Sequence, residues 1–445
     1  MIVILHGWSD RSASFKRLAA LISTLGLPGP VAPIMLGDYV SMDDDVHFDD
    51  IADAMQRAWL DGGLPTAPRS VDLVVHSTGA LVARYWMTRH FTPDTNPIRR
   101  LLMLAPANFG SHLAHKGTSF LGRVVKGFKS KRLFHTGANI LAGLELASPF
   151  SWELAMLDRF DAQRRWYGPG RVLATVLVGT AGYSGISAAA NADGSDGTVL
   201  VSTAQLNPAM LELDFVTDPQ KPRPLLSTSN GETAFCRLPK DNHSTAAAKD
   251  GGPRNPLARE LIKAALSVTD AGFTDHCTNL ALQNAQFRRD EVGKESTQGY
   301  QNTVVWVSDQ YEADVRDYFL EAFAKLPNAN REDRRLTGLI QTDVLTSVHT
   351  NHDNPAVRSL KFNCDRLQDL LVLANRSLYI AITASPEIAD TRTAGYSTVS
   401  YNDIGSIQIT PSELGRIFEP DRTLLVRLKL RREQTKGLVQ FNKST

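Results

Sequence analysis

Over the first 270 residues, short apolar runs alternate with stretches in which apolar residues recur every three or four positions. Val3 to Leu5, Asp72 to Val75, Arg100 to Ala105 and Arg171 to Gly179 read as buried strands, whereas Ser14 to Leu25, Ile51 to Leu60 and Ala80 to His90 read as helices. Strands alternating with helices predict a mainly parallel sheet flanked by helices. A closing helix is expected at Pro256 to Leu266, where Asn255 can cap and Pro256 suits the first turn. After Asp270 the period shortens to two. Thr303 to Val307, Arg335 to Gln341, Ala356 to Phe362, Ser377 to Thr383, Gly405 to Thr410 and Thr423 to Leu430 predict half-exposed antiparallel strands. Val315 to Phe323 fits helix and strand equally. The pattern thus divides the chain into an α/β domain over 1–270 and a β-rich domain, in outline a β-sandwich, over 271–445.

Composition narrows the classes. With 445 residues, 42% hydrophobic and 21% charged, this is an ordinary globular chain. Its 48 Lys plus Arg against 47 Asp plus Glu leave a formal charge of +1, without the basic excess that phosphate contacts require. A nucleic-acid binder is disfavoured. No run approaches the roughly 18 apolar residues of a membrane-spanning helix, and the N-terminus has neither a basic leader nor a small-residue cleavage site. The expectation is a soluble, cytoplasmic protein, although an effector exported without a signal would look the same. Cys236, Cys277 and Cys364 are odd in number and lack metal-ligand spacing, as expected of buried thiols in a reducing compartment.

The most informative segment is Val71-Asp72-Leu73-Val74-Val75-His76-Ser77-Thr78-Gly79-Ala80-Leu81-Val82-Ala83-Arg84: an apolar run, a small-residue turn and a helical pattern. A serine at such a strand-to-helix turn is thrust out of the sheet, and the helix N-terminus beside it favours negative charge. Ser77 is therefore the candidate nucleophile. Its plain counterpart is an N-capping serine. Two backbone N–H groups are needed for the oxyanion of an acyl-transfer intermediate, one from the residue after the nucleophile and one from the loop after an earlier strand. Those residues are Thr78 and, in His6-Gly7-Trp8-Ser9-Asp10, Trp8.

A serine needs a base, and the base needs a carboxylate to fix its tautomer. His243, in Leu238-Pro239-Lys240-Asp241-Asn242-His243-Ser244-Thr245, is the histidine of the α/β domain placed after a suitable acid. The acid is Asp196, which precedes Gly197-Thr198-Val199, with Asp193 as its rival in the same loop. Either could instead be an ordinary Asx-turn residue.

These motifs resemble those of lipases and esterases of the α/β-hydrolase superfamily, especially lipases whose elbow reads His-Ser-Thr-Gly, here His76-Ser77-Thr78-Gly79. Leu104-Ala105-Pro106-Ala107-Asn108-Phe109-Gly110-Ser111 is a further similarity, and so are the acid and base loops. The resemblance covers residues 1 to about 268. It implies Ser77, Asp196 and His243 as a triad, no cofactor, and an acyl ester or lipid as substrate. Two departures stand out: Val75 replaces the usual first glycine of the elbow, and Ala107-Asn108-Phe109 replaces a Pro-His step. The C-terminal domain is not covered.

Residues 111–165 lie where such lipases insert a cap, and they mix apolar pairs with Gly117, Gly122, Gly127 and Gly137. They fit a lid opening on lipid or an extra helical layer. From Thr95 to Leu144 there is no acid, yet Arg99, Arg100, Lys116, Arg123, Lys126, Lys129, Lys131 and Arg132 fall there. Such a stretch suits an anionic membrane surface, or a solvated face balanced by Asp38, Asp43, Asp44, Asp45, Asp49, Asp50 and Asp53. The rival functions are a non-lipid acyl hydrolase, such as an amidase or thioesterase, and a lipid- or partner-binding protein on a hydrolase scaffold.

Overall fold

The structure is a computed structural model that describes residues 1–5, 12–34, 36, 39, 44–114, 137–220, 222, 224–249, 251–290, 298–385 and 397–433, with side chains of the first helix from residue 16 onward. Two compact units are present. One comprises Met1–Pro208, Thr228–Gln298 and Asp421–Thr423; the other comprises Ala209–Ser227, Gly299–Pro420 and Leu424–Thr445.

The chain forms β1 (Ile2–Leu5), β2 (Val31–Ile34), β3 (Val71–His76), β4 (Ile98–Leu104), β5 (Leu173–Gly179), β6 (Ala209–Asp214), β7 (Leu225–Thr228) and β8 (Ala234–Leu238). Six of these make the sheet of the first unit, in the order β2-β1-β3-β4-β5-β8. Every pairing is parallel. Its helices are α1 (Ser12–Ser23), α2 (Phe48–Asp61), α3 (Gly79–His90), α4 (Ala138–Leu144), α5 (Pro149–Asp158), α6 (Ala258–Ser267) and α7 (Phe273–Asp290). Because helices cover both faces, β3 and β5 are buried at every position and read as mainly apolar runs, with Asp72, His76 and Thr175 as the polar members.

The strand period of two still sorts these side chains. Leu73 and Val75 join α2 and α3 in one core, where Trp59 and Trp86 lie 4.8 Å apart. Val74 points the other way, into a core shared with α1, α6 and α7. At the expected closing helix, Asn255 acts two residues earlier than a cap would: its side chain accepts the Leu257 N–H (2.9 Å), and helix begins at Ala258. The helix α7 stands where strand texture was expected to begin. Its inward residues are Phe273, Cys277, Leu280 and Phe287, spaced by three, four and seven, while the rest of its surface is mostly polar apart from the exposed Leu282.

The second unit adds β9 (Tyr300–Asp309), β10 (Tyr318–Phe323), α8 (Arg334–Leu339), β11 (Leu345–Thr350), β12 (Val357–Asn363), β13 (Leu378–Ala384), β14 (Ile407–Ile409) and β15 (Thr423–Leu430). A six-stranded sheet, β11-β12-β9-β15-β6-β7, and an antiparallel three-stranded one, β10-β13-β14, enclose a single apolar core. The larger sheet is mixed, since β15 runs parallel to β6. Thus residues 209–227, within the first 270, pair with the end of the chain. The expected strand Arg335 to Gln341 is helical instead. Asp333 caps it by accepting the Leu336 N–H (3.1 Å), and Leu336, Ile340 and Val344 face the core at helical spacing. The ambiguous 315–323 segment resolves as strand over its last six residues, Tyr318–Phe323. Among the described residues no helix is long and apolar enough to cross a membrane.

Candidate active site

Ser77 follows β3 directly and has φ +55°, a left-handed conformation that a non-glycine residue holds only when its surroundings impose it. Three backbone bonds do so here. Ser77 N–H donates to Leu104 O (3.2 Å), and Ala80 and Ala107 N–H donate to Ser77 O (3.2 and 3.3 Å). Val75, at the usual glycine position, is fully buried in the same apolar core as Leu73 and Leu81, so the branched side chain points away from the turn. His76 and Thr78 are buried and Ser77 is partly exposed, leaving the serine as the reachable group of the turn. Thr78 directly precedes α3, where the first backbone N–H groups lack intrahelical partners. Trp8 lies outside the described residues, as does the His6-to-Asp10 loop.

Asp196 comes from the loop after β5. That loop is fastened by Asn191, whose side chain accepts the Tyr183 N–H (2.7 Å) and donates to Tyr183 O (2.9 Å). Gly197 has φ +94°, and a Cβ there would lie 2.6 Å from the Tyr183 ring, so this turn requires glycine. One oxygen of the fully buried Asp196 carboxylate, Oδ1, accepts the Thr198 and Val199 N–H groups (2.9 and 2.7 Å). The other, Oδ2, faces His243 Nδ1 at 2.9 Å. Asp193, the rival acid, is exposed.

His243 sits in the turn after β8, and local polar bonds fix its backbone. Asn242 Oδ1 accepts the Ser244 and Thr245 N–H groups (3.1 and 2.9 Å), while Thr245 Oγ1 accepts the Asn242 N–H (2.9 Å). The Asp241 carboxylate accepts the N–H groups of Arg254 and Asn255 (2.7 and 2.9 Å). His243 N–H donates to Asp196 O (2.9 Å), tying base loop to acid loop. The ring then bridges the pair: Nδ1–H donates to Asp196, leaving Nε2 to accept from Ser77 Oγ at 3.0 Å. Ser77, His243 and Asp196 are thus in one hydrogen-bonded line, drawn from the carboxyl ends of β3, β8 and β5. This arrangement can pass a serine proton to a neutral imidazole whose cation the carboxylate stabilises.

Two residues take supporting roles that the motifs do not assign them. The fully buried His76 donates from Nε2 to His243 O (3.0 Å), and its Nδ1 accepts from Lys249 Nζ (3.2 Å). Burial first, then the nearby Lys249 and His243, hold the His76 imidazole well below its ordinary range, so it stays neutral in this tautomer. It links the residue before Ser77 to the main chain of His243. Gly179, ending β5, is the other: a Cβ there would lie 2.3 Å from Asp241 O. Both effects join residues far apart in sequence, and no local spacing signals them.

Of the basic stretch, Lys116, Arg123, Lys126, Lys129, Lys131 and Arg132 lie outside the described residues, as does the cap over 115–136. Arg99 and Arg100 are described, and both pair with Asp72 (3.0 and 3.1 Å). Arg100 also donates to Val268 O (2.6 Å), so this cation fastens the end of α6. In the acidic run, Asp49 and Asp53 meet Arg89 (2.9 and 3.1 Å) rather than any residue of the basic stretch described. Among the described residues no cluster of His, Cys, Asp or Glu could hold a metal.

A parallel sheet with its serine turn after a central strand, flanking helices and acid and base loops at the carboxyl ends of neighbouring strands is the α/β-hydrolase fold, here joined to a β-rich unit. Solved structures share it. The chain is similar to phospholipase PlaB from Legionella pneumophila at 22% identity, covering 100% of this chain and 98% of that one with a TM-score of 0.79. The same protein in complex with thio-NAD matches at 22% identity over 99% and 96%, with a TM-score of 0.78. Mature Bacillus licheniformis lipase BlEst2 matches at 17% identity over 60% of this chain and 91% of that one, with a TM-score of 0.37. No protein-family model matches the sequence, and no curated protein does. At these identities the likeness is one of fold, and with PlaB it extends through the β-rich unit.

Proposed function

We propose that the protein is a serine-dependent carboxylic ester hydrolase acting on acyl lipids, phospholipids foremost. The observation that carries this reading is the Ser77–His243–Asp196 hydrogen-bonded line, with the serine partly exposed and the other two buried. The whole-length likeness to a phospholipase supports the lipid part. His243 Nε2 takes the Ser77 proton as Oγ attacks the acyl carbonyl, and Asp196 stabilises the resulting imidazolium. The N–H groups of Thr78 and Trp8 receive the oxyanion. Collapse of the tetrahedral intermediate expels the alcohol, protonated by His243, and leaves an acyl-serine. Water, deprotonated by His243, then releases the carboxylic acid. The chemistry needs no cofactor. The basic cap stretch supplies an anionic lipid surface with its counter-charge, at on the order of 1 kcal/mol per Lys or Arg.

A panel of phospholipid vesicles, triglyceride emulsions and short nitrophenyl esters, run with wild type and Ser77→Ala, tests this. Wild type should hydrolyse phospholipid and react with a fluorophosphonate, and Ser77→Ala should lose about 10^6 in kcat and all labelling. Labelling that persists in Ser77→Ala overturns the nucleophile. Activity confined to the short esters overturns the substrate class.

A further inference from the structure

The two sheets of the second unit are unequal, six strands against three. With neighbouring strands about 4.8 Å apart, the smaller sheet spans roughly 10 Å and the larger roughly 24 Å, so the larger sheet's inner face extends beyond its cover. Helical segments bring Ile340, Val344, Leu367 and Leu371 into the core and close part of the difference. What remains open is a cavity of about 110 Å³, walled by Leu360 and Phe362 of β12 on one side and by Ile380 of β13 and Ile407 of β14 on the other. Ile380 is paired with both Ala322 and Ile407 across the small sheet, so the three form one row along the wall. Side chains between two packed sheets ordinarily bury completely. Ile380 and Ile407 do not; they are only half-buried.

The chemistry of the lining selects its occupant. Pro224 and Glu413 are the exposed lining residues outside the small sheet and mark the mouth; Glu321 and Gln408 alternate with the core-facing Leu320, Ala322, Ile407 and Ile409 and turn to the sheet's outer face. No Lys, Arg or His lines the cavity among the described residues. Glu413 is held in place by accepting the Thr410 N–H and hydroxyl (2.8 and 2.6 Å), so its carboxylate is a fixed negative charge there. Apolar walls forfeit dispersion across an empty gap, and such a space stays dry until an apolar molecule enters. An engineered apolar cavity of about 150 Å³ in another protein holds benzene, so this one suits a short length of hydrocarbon. We propose that the cavity binds the hydrocarbon chain of a single-chain lipid whose head is uncharged, with the head at the mouth. A carboxylate head is repelled by Glu413; a hydroxyl is not. This site stands apart from the chemistry proposed for Ser77 and does not depend on it.

The test uses the full chain carrying Ser77→Ala, so turnover cannot consume or generate ligand. Calorimetric titration at pH 8 should give saturable binding of 1-octanol, one per chain and at least tenfold tighter than octanoate. A diazirine-bearing octanol, irradiated with the same protein, should label peptides from β12 or β13. Ile380→Trp, which fills the space, should weaken octanol binding at least tenfold. Equal binding of octanoate, adducts confined to peptides around residue 77, or unchanged binding by a cooperatively melting Ile380→Trp protein would each overturn the proposal. Should Ile380→Trp fail to fold, the labelled peptides of the parent protein decide. Hydrolysis by wild type is read separately, so the two proposals fail independently.

Discussion

Asp196→Asn separates the chemistry proposed for the site from its packing. Oδ1 of Asp196 is pinned by the Thr198 and Val199 N–H groups, at 2.9 and 2.7 Å, and only an acceptor satisfies both. The amide oxygen of an introduced asparagine must therefore occupy that place, which puts the NH2 group where Oδ2 now lies, 2.9 Å from His243 Nδ1. A donor there forces His243 into the tautomer with Nδ1 bare and Nε2 protonated. Nε2 then faces Ser77 Oγ at 3.0 Å with a proton instead of a lone pair and cannot act as the base. The expected loss is about 10^4 in kcat, equivalent to about 5.4 kcal/mol of barrier, with the fold intact. Asp196→Ala should behave differently, because it strands two buried N–H groups at about 1 to 3 kcal/mol each and so also lowers stability. The assay is nitrophenyl butyrate hydrolysis at pH 7.5 alongside urea unfolding of each variant. An Asp196→Asn protein that folds normally and keeps kcat within tenfold of wild type refutes the tautomer argument.

Gly179→Ala should reduce kcat/KM roughly 100-fold by pushing the Asp241–His243 loop away from β5, since an ångström-scale misplacement costs about that much; unchanged kinetics would show that the loop yields freely. Arg237 and Asp421 form a buried ion pair, with Nε donating to Oδ2 at 2.8 Å, so Asp421→Ala should lower stability by about 3 to 5 kcal/mol in urea unfolding. Burial pushes His276 from an ordinary 6.5 down to about 4. Between those values the unfolded chain binds a proton that the native protein does not, so stability falls as pH drops through that window and is intact above it. After discounting for the partly exposed ring, His276→Gln should remove on the order of 2 kcal/mol of that acid-side loss. Identical urea midpoints for wild type and variant at both pH 4.5 and pH 7.5 would contradict it.

The α/β half was legible because its signals are local. β3 and β5 are mainly apolar runs, and the small-residue turn at Ser77 lies in one contiguous segment. Asp196 and His243 could be nominated because polar loops after sheet strands are few, but choosing between Asp196 and Asp193 required knowing which carboxylate turns inward. His76 and Lys249 were invisible as supports, since their roles depend on a bond to a carbonyl 167 residues away. Arg335 to Gln341 misled because Leu336 and Ile340 satisfy a period of two as well as a helical one; Val344 and the Asp333 cap decide for helix. The long helix α7 escaped notice because only Phe273 and Leu280 are buried on it.

The parallel pairing of β15 with β6 has a consequence for how this molecule could ever be divided. One unit takes strands from the middle and the end of the chain, while the other reclaims Asp421–Thr423 just before the last strand. A stop codon or protease cut near residue 270 would leave β6 without its neighbour on the N-terminal piece. The C-terminal piece would lose the last two strands of its larger sheet and expose β15 as an unpaired edge. The β-rich unit is therefore not a detachable appendage that truncation could remove.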